Sequence, residues 1–124
     1  MSFRETLDKH TSAIIARDIE ALRSTLPEEE LVLVMSDGMV VRSVSQFVDA
    51  HRQWFAMPNW QIRFEPIESY EGPDLGVAVF ELDYSDLRAD QTRFHELSVL
   101  TLIFARQHGR WVMVHDQNTP IKRA

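Results

Sequence analysis

The hydrophobic positions of the first 26 residues repeat at near-helical spacing. They are Leu7, Ile14, Ile15, Ile19, Leu22 and Leu26. Ser2 and Glu5 stand three residues apart, the spacing of a capping box in which each side chain binds the other's backbone N–H. The pattern predicts a first helix that breaks at positions 16–17. Asp18 is predicted to cap a second helical segment, which Pro27 ends.

Two short strands and a third helix are predicted next. Leu31 to Met35 is a continuous apolar run that favours a strand, and Asp37-Gly38 is a hairpin signal before the chain returns through residues 39–41. Ser43 with Gln46 has the spacing of a second capping box. Residues 44–57 then return to helical spacing, and His51 lies on their apolar stripe.

After Pro58 the pattern changes to the alternation that is typical of strands. Four extended segments are predicted, and they begin at Trp60, Gly76, Phe94 and Trp111. Short turns between consecutive strands require antiparallel pairing. The predicted fold class is therefore α+β, a single domain over 1–124 in which N-terminal helices pack on a curved antiparallel sheet.

Composition and charge narrow the classes of function. A chain of 124 residues with 44% hydrophobic residues can bury one core. The absence of cysteine excludes disulfides, thiolate metal sites and a cysteine nucleophile. A net charge of −6 argues against nucleic acid or an anionic membrane as a partner. Because the N-terminus lacks an apolar signal-peptide core and no apolar run could span a bilayer, we expect a cytoplasmic protein.

Three stretches of the chain resemble the SnoaL-like, ketosteroid isomerase-like branch of the nuclear transport factor 2-like superfamily. They are residues 16–22 (ARDIEAL), residues 33–38 (LVMSDG) and residues 109–120 (GRWVMVHDQNTP). The third is the most specific, since it resembles the family's final strand. The predicted order of elements also agrees with the family from about residue 5 to 120.

The resemblance implies a cystatin-like cone with an open mouth, and often a homodimer formed through the outer face of the sheet. It does not fix an activity, because this fold hosts isomerases, cyclases, dehydratases, hydrolases and plain binding modules. Many relatives have a histidine where Gln117 stands here. A glutamine can donate and accept hydrogen bonds but cannot shuttle a proton.

The last strand supplies the candidate catalytic residue. Strict alternation places Met113, His115 and Gln117 on one face of the strand, and Asp116 and Asn118 on the other. We expect His115 and Gln117 to point into the cone, with His115 as the acid or base because imidazole titrates near neutral pH. Met113 and Gln117 are predicted to contact the ligand. The alternative is a polar strand end that meets solvent or a dimer partner.

A second group lies on the strand that begins at Gly76. Glu81 and Asp83 share one face and could form an acid/base pair with His95 if that face were inward. The favoured alternative is that their face is the outer one, because the opposite face is more apolar. Tyr84, on that apolar face, is then the predicted ligand contact, and His95 is retained as a further candidate.

Aromatic residues form the third group. Trp54, Phe55, Trp60 and Phe64 are either a wall for a flat apolar ligand or ordinary core, and Trp54 and Trp60 are the predicted ligand contacts. No cofactor is expected, since no nucleotide-binding or nucleophile-elbow motif is present. No metal is expected either, because the five histidines show no ligand spacing.

Two functions remain open from these residues. The first is an isomerase, cyclase or dehydratase that acts by proton transfer on a small apolar ligand. The second is a non-catalytic ligand-binding or assembly module. In both, a homodimer is expected, because an open curved sheet leaves an apolar outer face to cover.

Overall fold

A computed structural model describes residues 1–121, so the last three residues of the predicted 1–124 domain lie outside the described residues. Three helices and six strands follow one another in the predicted order. The helices are α1 (Phe3–Ala16), α2 (Ile19–Arg23) and α3 (Val44–Phe55). The strands are β1 (Glu30–Val34), β2 (Val40–Ser43), β3 (Gln61–Glu71), β4 (Leu75–Leu87), β5 (Arg93–Gln107) and β6 (Arg110–Pro120).

The helix boundaries follow from local capping interactions. Both halves of the Ser2–Glu5 capping box are formed at the start of α1. Arg17 ends α1 in the left-handed conformation, with φ 57°, and Asp18 then accepts a hydrogen bond from the backbone N–H of Ala21. Ser43 caps α3 by accepting from the backbone N–H of Gln46. The predicted break and starts of the helices are confirmed.

The predicted α+β fold class is confirmed, and the sheet is antiparallel except at one parallel pair of strands. Its strand order is β2-β1-β6-β5-β4-β3, and every neighbouring pair is antiparallel except β1 with β6. The short turns of the sequence constrain only strands that are consecutive in the chain. β1 and β6 are far apart in the sequence, so no short turn constrains their direction. They pair in parallel along one edge of β6, with Leu33 opposite Asp116.

A β-bulge interrupts β6 and changes which side chains face inward. Phe104 of β5 pairs with Met113, but the next pair joins Ile103 to His115, so Val114 has no partner on β5. One extra residue reverses the alternation for the rest of the strand. Asp116 therefore shares the inner face, on which Met113 lies before the bulge.

The core lies between the helices and the concave face of the sheet. It contains Phe3, Leu7, Leu22, Phe47, Leu102 and Phe104, each at most 2% exposed. Gly76 has to be glycine here, since a Cβ at that position would stand 2.5 Å from the ring of Phe3. The close approach of α1 to β4 thus anchors one end of the helical layer on the sheet.

No helix within residues 1–121 is both long and apolar enough to cross a membrane. The same residues contain no group of three or more histidine, aspartate or glutamate side chains that could hold a metal ion.

Candidate functional site

A cavity of about 260 Å³ opens between α3 and the inner face of the sheet. Its apolar wall comes mainly from α1, α3, β3 and β4 and includes Ile14, Trp54, Ile62, Phe64, Leu82 and Leu100. Its polar groups are Ser36, His51, Glu96, Ser98, Asp116 and Asn118, and Tyr84 also lines it. A largely apolar pocket with a few convergent polar groups is the usual form of a small-molecule site.

Of the predicted ligand contacts, Trp54 and Tyr84 line this cavity. Trp60 and Met113 do not: they are 2% and 0% exposed and belong to the core. The indole of Trp60 stacks on that of Trp54 at 4.1 Å, so Trp60 supports the cavity wall from behind. Ligand binding by Trp54 and Tyr84 stays a prediction.

The predicted inward orientation of His115 and Gln117 is wrong. Both lie beyond the bulge at Val114, which turns them to the outer face, where the Nε2 atom of His115 is 3.2 Å from Oε1 of Gln117. The prediction assumed unbroken alternation from Trp111 onward. Neither side chain lines the cavity.

His95 also lies on the outer face, together with Glu81 and Asp83, as the favoured alternative expected. Its Nε2 atom is 2.7 Å from Oδ1 of Asp83, and Arg63 is 3.5 Å from the other oxygen of that carboxylate. His95 is 47% exposed at its side chain and does not reach the cavity. His95 is therefore a surface partner of Asp83 and not a residue of the cavity.

Asp116 and Asn118 line the cavity, although strict alternation along β6 predicts them on the opposite face. The signal that could have revealed them is the run Trp111 to Val114, where four apolar residues in succession break the alternation. Such a run marks a place where a strand is buried on both sides or bulged. It does not say where the extra residue lies.

Asp116 is the most perturbed carboxyl group of the cavity. It is 6% exposed, and Nδ2 of Asn118 donates a hydrogen bond to its Oδ1 at 3.1 Å. Burial penalises the charged form and raises the pKa of Asp116 from 3.8 to about 7, although the bond from Asn118 acts in the opposite direction. Near neutral pH this carboxyl group can therefore both donate and accept a proton.

His51 faces the cavity from α3. Its Nδ1 lies 2.8 Å from the carbonyl oxygen of Phe47, and since a carbonyl can only accept, Nδ1 carries the proton. Burial lowers the pKa of His51, and the bond to Phe47 partly offsets this. The neutral ring thus keeps a lone pair on Nε2.

Tyr84 is held by two hydrogen bonds at the cavity wall. Its hydroxyl donates to Oδ2 of Asp86 at 3.0 Å and accepts from Nε1 of Trp54 at 3.3 Å. Burial is the main cause of a raised pKa for Tyr84. Since its proton is engaged by Asp86, Tyr84 is placed to accept a hydrogen bond from a ligand and not to donate one.

His10 is a second buried histidine, but it belongs to the core and not to the cavity. It is 0% exposed, and its Nδ1 lies 2.7 Å from Oγ1 of Thr25, whose own hydroxyl is oriented to the carbonyl of Leu22. Burial lowers the pKa of His10 to about 3, so the ring is neutral in the folded protein. Its role is structural.

A family model described as a SnoaL-like domain matches residues 4–120. Among curated proteins, none matches the sequence significantly.

Several solved structures have the same fold at low sequence identity. A candidate dehydratase of the NTF2-like family from Streptomyces avermitilis has a TM-score of 0.78 at 14% identity, over 97% of this chain and 94% of its own. A ketosteroid isomerase-like protein from Erwinia carotovora atroseptica has a TM-score of 0.77 at 12% identity, over 97% and 94%. The association domain of C. elegans CaMKII has a TM-score of 0.67 at 16% identity, over 94% and 91%. At these identities the likeness shows the fold alone.

Proposed function

The chain belongs to the SnoaL-like domain family, and from that premise we propose that it binds a small, largely apolar ligand in the cavity and transfers a proton on that ligand through Asp116. The observation that carries the proposal is the position of Asp116, a buried carboxyl that lines an apolar cavity and has a pKa of about 7. An isomerase-type reaction needs a group that removes a proton and returns it, and a pKa near the working pH suits both steps.

The rest of the cavity supports this division of roles. Trp54 and the aliphatic side chains exclude water from the apolar body of the ligand, and exclusion of water strengthens electrostatic contacts inside. Asn118 orients the Asp116 carboxyl through its hydrogen bond to Oδ1. His115, the histidine favoured by alternation, lies on the opposite face of the sheet and has no part in the proposal.

Deuterium exchange is the test of proton transfer. Small apolar ketones that stabilise the protein against heat are incubated with it in D₂O, and deuterium at the carbon next to the carbonyl is measured by NMR. We expect exchange that Asp116→Asn slows by about 10²–10⁴-fold, since this is the usual contribution of a general acid or base. His115→Ala, the matched control on the outer face, is expected to leave the rate unchanged. Exchange that survives in Asp116→Asn would contradict the proposal.

An assembly module is the second candidate function, and one observation favours it. The fold is shared with a protein whose name is the association domain of CaMKII. If the protein is an assembly module, the cavity does not catalyse a reaction. A ligand that raises the melting temperature of the protein, with no deuterium exchange in the wild type, would favour this second candidate.

We further propose a homodimer formed through the outer face of the sheet, in a protein that works in the cytoplasm. Val79, Val99 and Ile103 lie on that face and are only partly buried in the single chain. Val99 stands at its centre, opposite Glu81 on β4 and Thr119 on β6. A second copy would remove these apolar side chains from water.

Charge at the centre of the outer face should separate the subunits. Val99→Glu would bury an unpaired carboxylate at the interface, which costs several kcal/mol, so we expect a dimer to become monomer at about 10 µM protein. Val40→Glu, on the half-exposed edge strand β2, is the control and should leave the dimer intact. Sedimentation equilibrium distinguishes the expected monomer of Val99→Glu from the expected dimer of Val40→Glu. A wild-type protein that is monomeric at the same concentration rejects the homodimer.

A further inference from the structure

Three hydrogen-bond donors of the cavity wall are already engaged by other groups of the protein. The Tyr84 hydroxyl donates to Asp86, the indole N–H of Trp54 donates to Tyr84, and Nδ1–H of His51 donates to Phe47. These three groups retain one lone pair on the Tyr84 oxygen and the lone pair on Nε2 of His51 as acceptors. A ligand meets them best with a donor of its own.

The charged groups of the cavity have one sign. Glu96 and Asp116 line it, and no lysine or arginine is among the described residues that do so. The Arg17 guanidinium, whose charge acts on the Tyr84 hydroxyl, lies 3.9 Å from the centre of the Trp60 ring, and that of Arg88 lies 4.8 Å from the centre of the Phe94 ring. The side chains that line the cavity therefore include two carboxyl groups for a cationic head group and no basic side chain for an anionic one.

The two carboxyl groups stand at different ends of the cavity and differ in burial. Asp116 is opposite Leu102 on β5, whereas Glu96 lies six residues earlier on that strand, opposite Tyr84 on β4. Asp116 is buried, and Glu96 is partly exposed. A charged head group loses less hydration at the more exposed end, so Glu96 is the better partner for it.

We propose that the ligand carries a protonated amine, held by the carboxylate of Glu96 beside the aromatic rings of Trp54 and Tyr84, with its apolar body directed toward Asp116. Tyr84 stands opposite Glu96 on the neighbouring strand, and aromatic faces attract cations. An amine with the basicity of a lysine side chain stays charged throughout the neutral range. The inference deepens the proposed function, since it names the head group of a ligand in the same cavity, but it does not depend on proton transfer.

Three ligands with one body and different heads test the inference. Cyclohexylmethylamine, cyclohexylmethanol and cyclohexanecarboxylate present a cation, a neutral hydroxyl and an anion, and their affinities are measured at pH 8 by isothermal titration calorimetry. We expect the amine to bind about tenfold or more tightly than the alcohol, as a charge-assisted hydrogen bond requires, and the carboxylate to bind most weakly. Glu96→Gln should remove the amine's advantage and keep the affinity for the alcohol.

Two further variants separate this inference from the proposed function. Asp83→Asn removes a carboxylate of the outer face and should leave all three affinities unchanged. Asp116→Asn should retain the preference for the amine while it loses deuterium exchange. Amine binding and proton transfer are therefore tested independently of each other. A carboxylate that binds as tightly as the amine, a preference that survives Glu96→Gln, or no binding of the amine up to about 10 mM would each overturn the inference.

Discussion

At pH 8, Asp116→Asn is expected to raise the free energy of unfolding by up to about 4 kcal/mol. The folded protein raises the pKa of this carboxyl from 3.8 to about 7, so at pH 8 it holds a charge that burial disfavours. The unfolded chain ionises the same group in water without that penalty. Asparagine keeps the shape and can still accept the hydrogen bond from Asn118, but it has no charge to bury.

The stabilising effect of Asp116→Asn should depend on pH. A raised carboxyl pKa means that the folded state holds a proton which the unfolded state has lost, so the stability of the wild type falls as pH rises from about 4 to about 7. The difference between Asp116→Asn and the wild type should therefore be small at pH 4, grow across this window and level off above it. Chemical denaturation at several pH values measures it, with Asp83→Asn on the outer face as the control. A difference that does not change with pH would contradict the prediction.

His10 affects the pH dependence of the stability in the opposite direction to Asp116, over nearly the same pH range. Because its pKa falls from 6.5 to about 3 in the folded protein, the unfolded state binds the extra proton, and stability rises with pH between about 3 and 6.5. In the wild type the effects of His10 and Asp116 oppose each other between about pH 4 and 6.5. Asp116→Asn leaves His10 unopposed, so the stability of that variant should rise with pH over this interval.

Trp60→Ala is expected to lower the free energy of unfolding by about 3–5 kcal/mol, the usual cost of removing a large buried aromatic side chain. Trp60 is 2% exposed, stacks on Trp54 and lies beneath the guanidinium of Arg17. Its indole N–H also donates to the backbone carbonyl of Trp54 at 2.8 Å. The loss is a large share of the 5–15 kcal/mol that stabilises an ordinary domain.

Trp54→Ala is the matched control for that variant. Trp54 is the same residue type in the same cluster, but it is only partly buried and lines the cavity. Its truncation should cost about 1–3 kcal/mol, since part of the space it leaves is already open to solvent. Urea denaturation followed by far-ultraviolet circular dichroism compares the two. Equal losses in the two variants would contradict the expected difference between a core Trp60 and a cavity-lining Trp54.

The helical half of the molecule was predictable because its signals are local. The side chains of Ser2 and Asp18 accept hydrogen bonds from backbone N–H groups three residues further on, so the helix starts that they set can be predicted from the local sequence. The face of β4 was predictable for a similar reason. Its alternation is uninterrupted from Ala78 to Tyr84, and the more apolar face is the inner one.

The end of β6 was not predictable in the same way, because its geometry depends on distant partners. The bulge at Val114 arises where β6 pairs with β5, and it decides that Asp116 faces the cavity in place of His115. The parallel pairing of β1 with β6 is likewise a contact between segments far apart in the chain. Alternation assigns the residues of a strand to its two faces only as long as no residue is inserted. Because of the one extra residue at the bulge, Asp116 faces the cavity, whereas His115, the predicted catalytic residue, faces outward.

The pKa of Asp116 can be measured directly, and the proposed proton transfer depends on it. The ¹³C chemical shift of the Asp116 carboxyl carbon, assigned by comparison with Asp116→Asn, is followed from pH 3 to 9 in the protein without ligand. We expect a midpoint of about 7. A midpoint near the ordinary 3.8 would show that burial does not raise the pKa of this carboxyl group, and the proposed proton transfer would be contradicted.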